Sequence, residues 1–202
     1  MKTKFAVAAV ALFAVAAFAL CVVPQATADD EAEFAATCPM SGKPALEDKV
    51  VDYKGKKVYF CCGGCPEAFE TDPEKVIAQV RMQWLETGQM LQTACPLTGR
   101  ACNENQTVDV GETSVAFCCG GCKGKAGKAS AEDLLAMVFG DIAKGFTLQT
   151  HCPVSGKPVK LTASVEHDGQ NVYFCCPGCP DAFKADPAKY IDKLPQFADD
   201  EG

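Results

Sequence analysis

The chain has 202 residues, 48% of them hydrophobic, with 19 Lys and Arg against 26 Asp and Glu and a formal net charge of −7. That acidity argues against a nucleic-acid partner, because gripping a phosphate backbone requires a basic face. Cysteine is the outlier: there are 14, beside two histidines, which points to sulfur as the carrier of any site chemistry.

Lys2 and Lys4 precede an apolar run from Phe5 to Val23, followed by Pro24 and the small-residue triplet Ala26-Thr27-Ala28. This order reads as an export signal over residues 1–28, cleaved before Asp29, so the remainder is expected in the periplasm or outside the cell. The alternative is a retained N-terminal membrane anchor, since the apolar run is just long enough to span a bilayer. Once the signal is cleaved, no membrane association is expected. Taking 28 residues from 202 leaves 174, three lengths of about 58, and removes two lysines.

Three repeats fill that length: residues 34–90, 91–147 and 148–195, with an acidic tail at 196–202. Cys38-Pro39-Met40-Ser41-Gly42 recurs as Cys95-Pro96-Leu97-Thr98-Gly99 and Cys152-Pro153-Val154-Ser155-Gly156, each 57 positions after the last. Phe60-Cys61-Cys62-Gly63-Gly64-Cys65 recurs in step as Phe117-Cys118-Cys119-Gly120-Gly121-Cys122 and Phe174-Cys175-Cys176-Pro177-Gly178-Cys179. Modules this small cannot bury a sufficient core alone and need disulfides, a metal or a neighbour.

In the first repeat a hairpin is predicted from Val50 to Tyr53, a turn at Lys54-Gly55, and Lys56 to Phe60. A short helix follows the doublet, with Phe69 pinning it to the hairpin. Asp72-Pro73 then reads as a cap and first helical position for a second helix carrying Val76, Val80 and Trp84, stopped at Gly88. The second repeat places Gly111-Glu112 at its hairpin turn. It departs downstream, with Ala126 in place of the phenylalanine, Ser130 and Asp133 as the helix cap, Leu134, Leu135, Val138 and Ile142 at helical spacing, and an extra Cys102. The third predicts Val165 to His167, the turn Asp168-Gly169, Gln170 to Phe174, Phe183 as anchor, Asp186-Pro187 as cap, and a short helix from Ala188 to Leu194. The fold class is therefore α+β, in small hairpin-plus-helix units.

A Cys-Pro-x-x-Gly turn suits a metal site, because the glycine tolerates a left-handed backbone and lets successive N–H groups point at the thiolate. Each repeat offers four thiols: Cys38, Cys61, Cys62 and Cys65; Cys95, Cys118, Cys119 and Cys122; Cys152, Cys175, Cys176 and Cys179. Adjacent residues of a strand face opposite ways, so spacing leaves open whether both doublet members bind. Four thiolates favour tetrahedral Zn²⁺, and three make trigonal Cu⁺ equally suitable, with up to three ions per chain. The alternative is a disulfide framework, which an oxidising compartment favours, although Cys102 makes the count after signal removal odd.

One cysteine, about twenty residues, then Phe-Cys-x-x-x-Cys followed by Phe and Asp-Pro resembles the TRASH and YHS type of treble-clef heavy-metal-binding domain. The resemblance covers residues 38 to 80, 95 to 140 and 152 to 194. It implies three tandem treble-clef-like modules of the kind found in heavy-metal sensing, trafficking and resistance. Carried over by position, it implies ligands at Cys38, Cys61 and Cys65, at Cys95, Cys118 and Cys122, and at Cys152, Cys175 and Cys179.

His151 abuts Cys152 but has Thr37 and Ala94 as counterparts, His167 is expected at the surface, and Met40 is read as packing because Leu97 and Val154 replace it. No nucleophile with its base, carboxylate pair or phosphate loop stands in a supporting context, so the chain is not read as an enzyme. The expectation is an exported carrier, buffer or detoxifier of a soft metal, dealing with metal ions and a donor or acceptor protein. A disulfide-stapled envelope protein is the alternative, with a thiol redox protein third.

Overall fold

The structure, a computed structural model, describes residues 34–197. The expected signal segment and the acidic residues Asp199, Asp200 and Glu201 lie outside the described residues. The described chain is α+β and built of small hairpins and helices. In order it comprises β1 (Leu46–Tyr53), β2 (Lys56–Phe60), α1 (Gly64–Thr71), α2 (Ile77–Glu86), β3 (Leu91–Gln92), β4 (Asn103–Val110), β5 (Thr113–Phe117), α3 (Gly120–Ala126), α4 (Ala131–Phe139), β6 (Phe146–Thr147), β7 (Lys160–His167), β8 (Gln170–Phe174), α5 (Cys179–Ala185) and α6 (Ala188–Ile191). No helix among these residues is long and apolar enough to cross a membrane.

The three hairpins, β1–β2, β4–β5 and β7–β8, are antiparallel and share one register. Their first strands begin earlier than alternation alone predicts, because each carries an irregularity of pairing: Leu46 faces Phe60 while Val50 faces Tyr59, and the other two hairpins repeat this shift. Such a bulge breaks the period-two pattern on which a strand is recognised, and it sits beside the cysteine doublet. Lys54 and Gly55 both have positive φ, as do Asp168 and Gly169, which matches the twist of a two-residue hairpin turn.

The second strand of each hairpin turns alternate residues into the core: Val58 and Phe60, Val115 and Phe117, Val172 and Phe174 are all fully buried. Phe69 packs on Phe60 at 5.4 Å and Phe183 on Phe174 at 5.6 Å between ring centroids, so both expected anchors are in place. Tyr53 adds an edge contact to Phe69 at 5.2 Å, and its counterpart His167 makes the same contact to Phe183 at 5.3 Å. His167 is thus partly buried, its side chain 25% exposed with one edge against Phe183, where a surface position was expected of it. In module 2 both members of this pair shrink together, to Val110 and Ala126, and both are buried.

The caps differ in detail from expectation. Asp72 makes no side-chain cap bond, and Pro73–Val76 forms a 3₁₀ turn, so α2 begins one turn later than predicted. Asp186 closes α5, and Pro187 occupies the cap of α6. Ser130 does cap α4, its hydroxyl accepting the Asp133 N–H at 3.1 Å. Gly88, with φ +67, ends α2 as expected.

Modules 1 and 2 share one core. Helix α2 buries Val80, Met82 and Trp84 and packs on α4, whose Val138 and Phe139 are buried in the same cluster. Module 3 has a separate cluster of Cys152, Val172, Phe174, Cys179, Phe183, Tyr190 and Leu194. Phe197 packs against that cluster and Gln196 donates to the Asn171 carbonyl at 3.2 Å, so the boundary drawn before residue 196 cuts through contacts of module 3. Strands β3 and β6 pair the connector entering module 2 with the one leaving it.

At the seam between modules 1 and 2, the Glu86 carboxylate accepts N–H groups from Thr37 at 2.7 Å and from Glu112 at 2.9 Å. Gly111, with φ +62, lies so close that a Cβ there would come within 2.9 Å of the Met82 sulfur. Gly111→Ala should destabilise the folded chain by about 2 kcal/mol through backbone strain plus overpacking. Gly55→Ala, where φ is +71 but a Cβ would meet nothing within 4 Å, should cost less. Urea midpoints of the two variants provide the comparison, and equal losses would show that the seam is not tight.

Candidate metal centre

Each site is assembled from three places. The first cysteine sits in a tight turn whose N–H to carbonyl bonds repeat almost without change: Cys38 N–H to Lys43 at 2.8 Å and Gly42 N–H to Cys38 at 2.9 Å, with equivalents at Cys95 and Cys152. Gly42, Gly99 and Gly156 carry φ of +68, +70 and +72, the left-handed conformation expected of them. The second cysteine follows the end of the hairpin, and the third stands in the first turn of the succeeding helix.

These elements bring together Cys38, Cys61 and Cys65; Cys95, Cys118 and Cys122; and Cys152, Cys175 and Cys179, the sulfurs of each set lying within 4.8 Å of one another. The second and third sulfurs are 3.7 Å apart in all three sets. A tetrahedral zinc with bonds of about 2.3 Å needs sulfurs about 3.8 Å apart, so the spacing fits a thiolate-bound ion. It is far outside the roughly 2.05 Å of a disulfide, and all 13 cysteines among the described residues are free thiols.

The other doublet members, Cys62, Cys119 and Cys176, lie outside these sets at the rim. Cys62 and Cys176 are exposed, each 3.4 Å from the third cysteine of its module, while Cys119 is half-buried and 3.8 Å from Cys118. A hydroxyl sits against each site: Ser41 and Ser155 are 3.1 Å from the sulfurs of Cys61 and Cys175, and Thr98 is 3.4 Å from that of Cys118.

The turn tunes the first thiol. Burial raises Cys38, but hydrogen bonds from the Ser41 hydroxyl and the amides of Cys61, Met40 and Ser41 outweigh it and bring the pKa down to about 7. Burial against the same kinds of donor, from Ser155, Cys175 and Val154, leaves Cys152 at about 6. Cys65 and Cys122 are pushed up to about 12, first by burial and then by the neighbouring thiols. Cys179 is raised as well, first by the Cys176 sulfur and then by burial. Crowded sulfurs cannot all be anionic without a cation among them, so a proton stays on the third cysteine.

Module 2 adds Arg100, whose guanidinium donates to the Cys118 sulfur at 3.4 Å where the other modules have Lys43 and Lys157. Cys102 is not part of a set. It packs in the shared core, donates to the Ala116 carbonyl at 3.4 Å, and has its pKa raised by burial and then by Cys95 and Cys118. His151 is exposed, with its Nδ1 2.9 Å from the Thr150 hydroxyl. Met40 packs against the core, as read.

One recurring element was not anticipated. In module 3 the buried Gln149 accepts the Tyr173 N–H at 2.9 Å and donates to the carbonyls of Tyr173 at 2.6 Å and His151 at 3.0 Å. Gln92 makes the same three bonds in module 2, to Ala116 twice and to Ala94. Module 1 has Ala35 at that position, and Gln83 reaches in from α2 to the equivalent atoms of Tyr59 and Thr37. Each glutamine ties the backbone just ahead of the first cysteine to the strand residue two before the second. The shared Gln-Thr-x-Cys of modules 2 and 3 was the available signal, but module 1 hides it by using a residue 46 positions from its target.

No protein-family model matches this chain, and no curated protein or solved structure matches it.

Proposed function

We propose that the chain binds soft, thiophilic metal ions, one in each module, and acts as an exported carrier, buffer or detoxifier of such a metal. The observation that carries this reading is the threefold recurrence of the same cysteine set, with sulfurs at metal-bridging and not disulfide separations. Cys38, Cys61 and Cys65 and their counterparts are the ligands, in modules of the TRASH and YHS treble-clef type. A three-thiolate set suits Cu⁺, and the same three thiolates with one further donor from the adjacent hydroxyl or solvent suit Zn²⁺. Export rests on Lys2, Lys4 and the apolar run up to Val23.

Non-denaturing mass spectrometry of the reduced chain titrated with Zn²⁺ or Cu⁺ should show three ions bound at saturation. Chelation should then increase protease sensitivity, because the ligands tie each turn to its hairpin. A chain that takes up no metal while all its thiols are reduced would overturn the proposal.

A further inference from the structure

The doublet's outer cysteine begins a Cys-x-x-Cys run, Cys62-Gly63-Gly64-Cys65 in module 1 and Cys176-Pro177-Gly178-Cys179 in module 3. Both pairs have their sulfurs 3.4 Å apart, from which side-chain rotation reaches a disulfide of about 2.05 Å. The first member of each pair is exposed, whereas Cys65 is half-buried and Cys179 buried. The second members also belong to the three-thiol sets. One sulfur therefore serves either as a metal ligand or as half of a disulfide.

We propose that Cys62 with Cys65, and Cys176 with Cys179, perform thiol–disulfide exchange on a disulfide substrate, and that the exchange withdraws a ligand from the metal site. The release step rests on the metal-binding reading of the three-thiol sets. The Cys62 thiolate attacks one sulfur of the substrate, the substrate S–S bond breaks, and one half leaves as a thiolate while the other stays in a mixed disulfide on Cys62. The Cys65 thiolate, a ligand in the loaded module, attacks the Cys62 sulfur, displaces the second half as a thiolate, and closes the Cys62–Cys65 bond. Two cysteine sulfurs are oxidised and the substrate disulfide is reduced to two thiols, so no further oxidant is required. Cys38 is 1% exposed and Cys61 and Cys65 are half-buried, whereas Cys62 is exposed, which makes the rim cysteine the entry point. After pairing, module 1 retains only Cys38 and Cys61 from its set, too few to hold the ion.

The test mixes the zinc-loaded full chain with glutathione disulfide under anaerobic conditions, following freed zinc with a chromogenic chelator and mapping disulfides by mass spectrometry. The expected result is release of zinc from modules 1 and 3 with Cys62–Cys65 and Cys176–Cys179 as the mapped bonds. The double variant Cys62→Ser, Cys176→Ser should release zinc at least about tenfold more slowly, having lost both attacking thiolates. Equal release from the variant, pairing through Cys38 or Cys152 instead, or zinc retained despite pairing would overturn the proposal. Mapping the metal-free chain separates the two readings. If it takes up no zinc yet forms the two bonds, the metal reading and the release step fail while the exchange stands; if it loads three ions and the bonds do not form, the exchange fails alone.

Discussion

Cys61→Ser should lower the number of zinc ions bound at saturation from three to two, whereas Cys62→Ser should leave it at three. Cys61 lies in the set whose sulfurs are all within 4.8 Å, and Cys62 stands at the rim, exposed and 3.4 Å from Cys65. A structural zinc site draws roughly 10–16 kcal/mol from its full ligand set, so losing one thiolate should weaken the module by on the order of 100-fold or more. Native mass spectrometry reads the stoichiometry, and a competing chelator reads the affinity. If Cys62→Ser proves as damaging, all four thiols coordinate and the site is a four-sulfur tetrahedron. The register is the same in all three hairpins, so the result for module 1 carries to Cys118 and Cys175.

Gln149→Ala should destabilise zinc-loaded module 3 by about 3 kcal/mol, a large loss for a polar substitution outside the metal set. Gln149 is 1% exposed, and its removal leaves the buried N–H and C=O of Tyr173, and the part-buried C=O of His151, without their partner. The alanine cannot repair this, because a methyl group neither donates nor accepts. Module 3 has its own core, so its urea transition should shift while that of modules 1 and 2 holds. A loss under about 1 kcal/mol would mean that water replaces the amide, and the clamp would then matter little.

The parts of this fold that could be read from sequence are those governed by local chemistry. Lys54-Gly55 and Asp168-Gly169 marked turns because few residues accept positive φ, and Ser130 marked a helix start because its hydroxyl satisfies a free N–H. The cysteines announced their meeting by equal spacing alone. What stayed hidden depends on partners distant in sequence. The bulge after Leu46 erased the alternation of β1, His167 is half-covered because Phe183 and Phe197 lie against it, and the choice between Cys61 and Cys62 depended on how the strand ends. Module 2 has Ala126 where its neighbours have a phenylalanine. In the structure its Val138 and Phe139 are buried in a cluster with Val80 and Trp84 of module 1, a support that no local pattern could reveal.

The two-plus-one division of the cores decides where this chain tolerates being cut. Severed near Leu148, the first two modules would keep α2 against α4 and the β3–β6 pair that fastens their connectors, and the last module would keep every side chain of its own cluster. Severed near Gly88, the first module would bare Val80 and Met82 to water and lose the carboxylate link from Glu86 to Glu112. Three sequence repeats thus share two hydrophobic cores, and only the third copy keeps a core of its own.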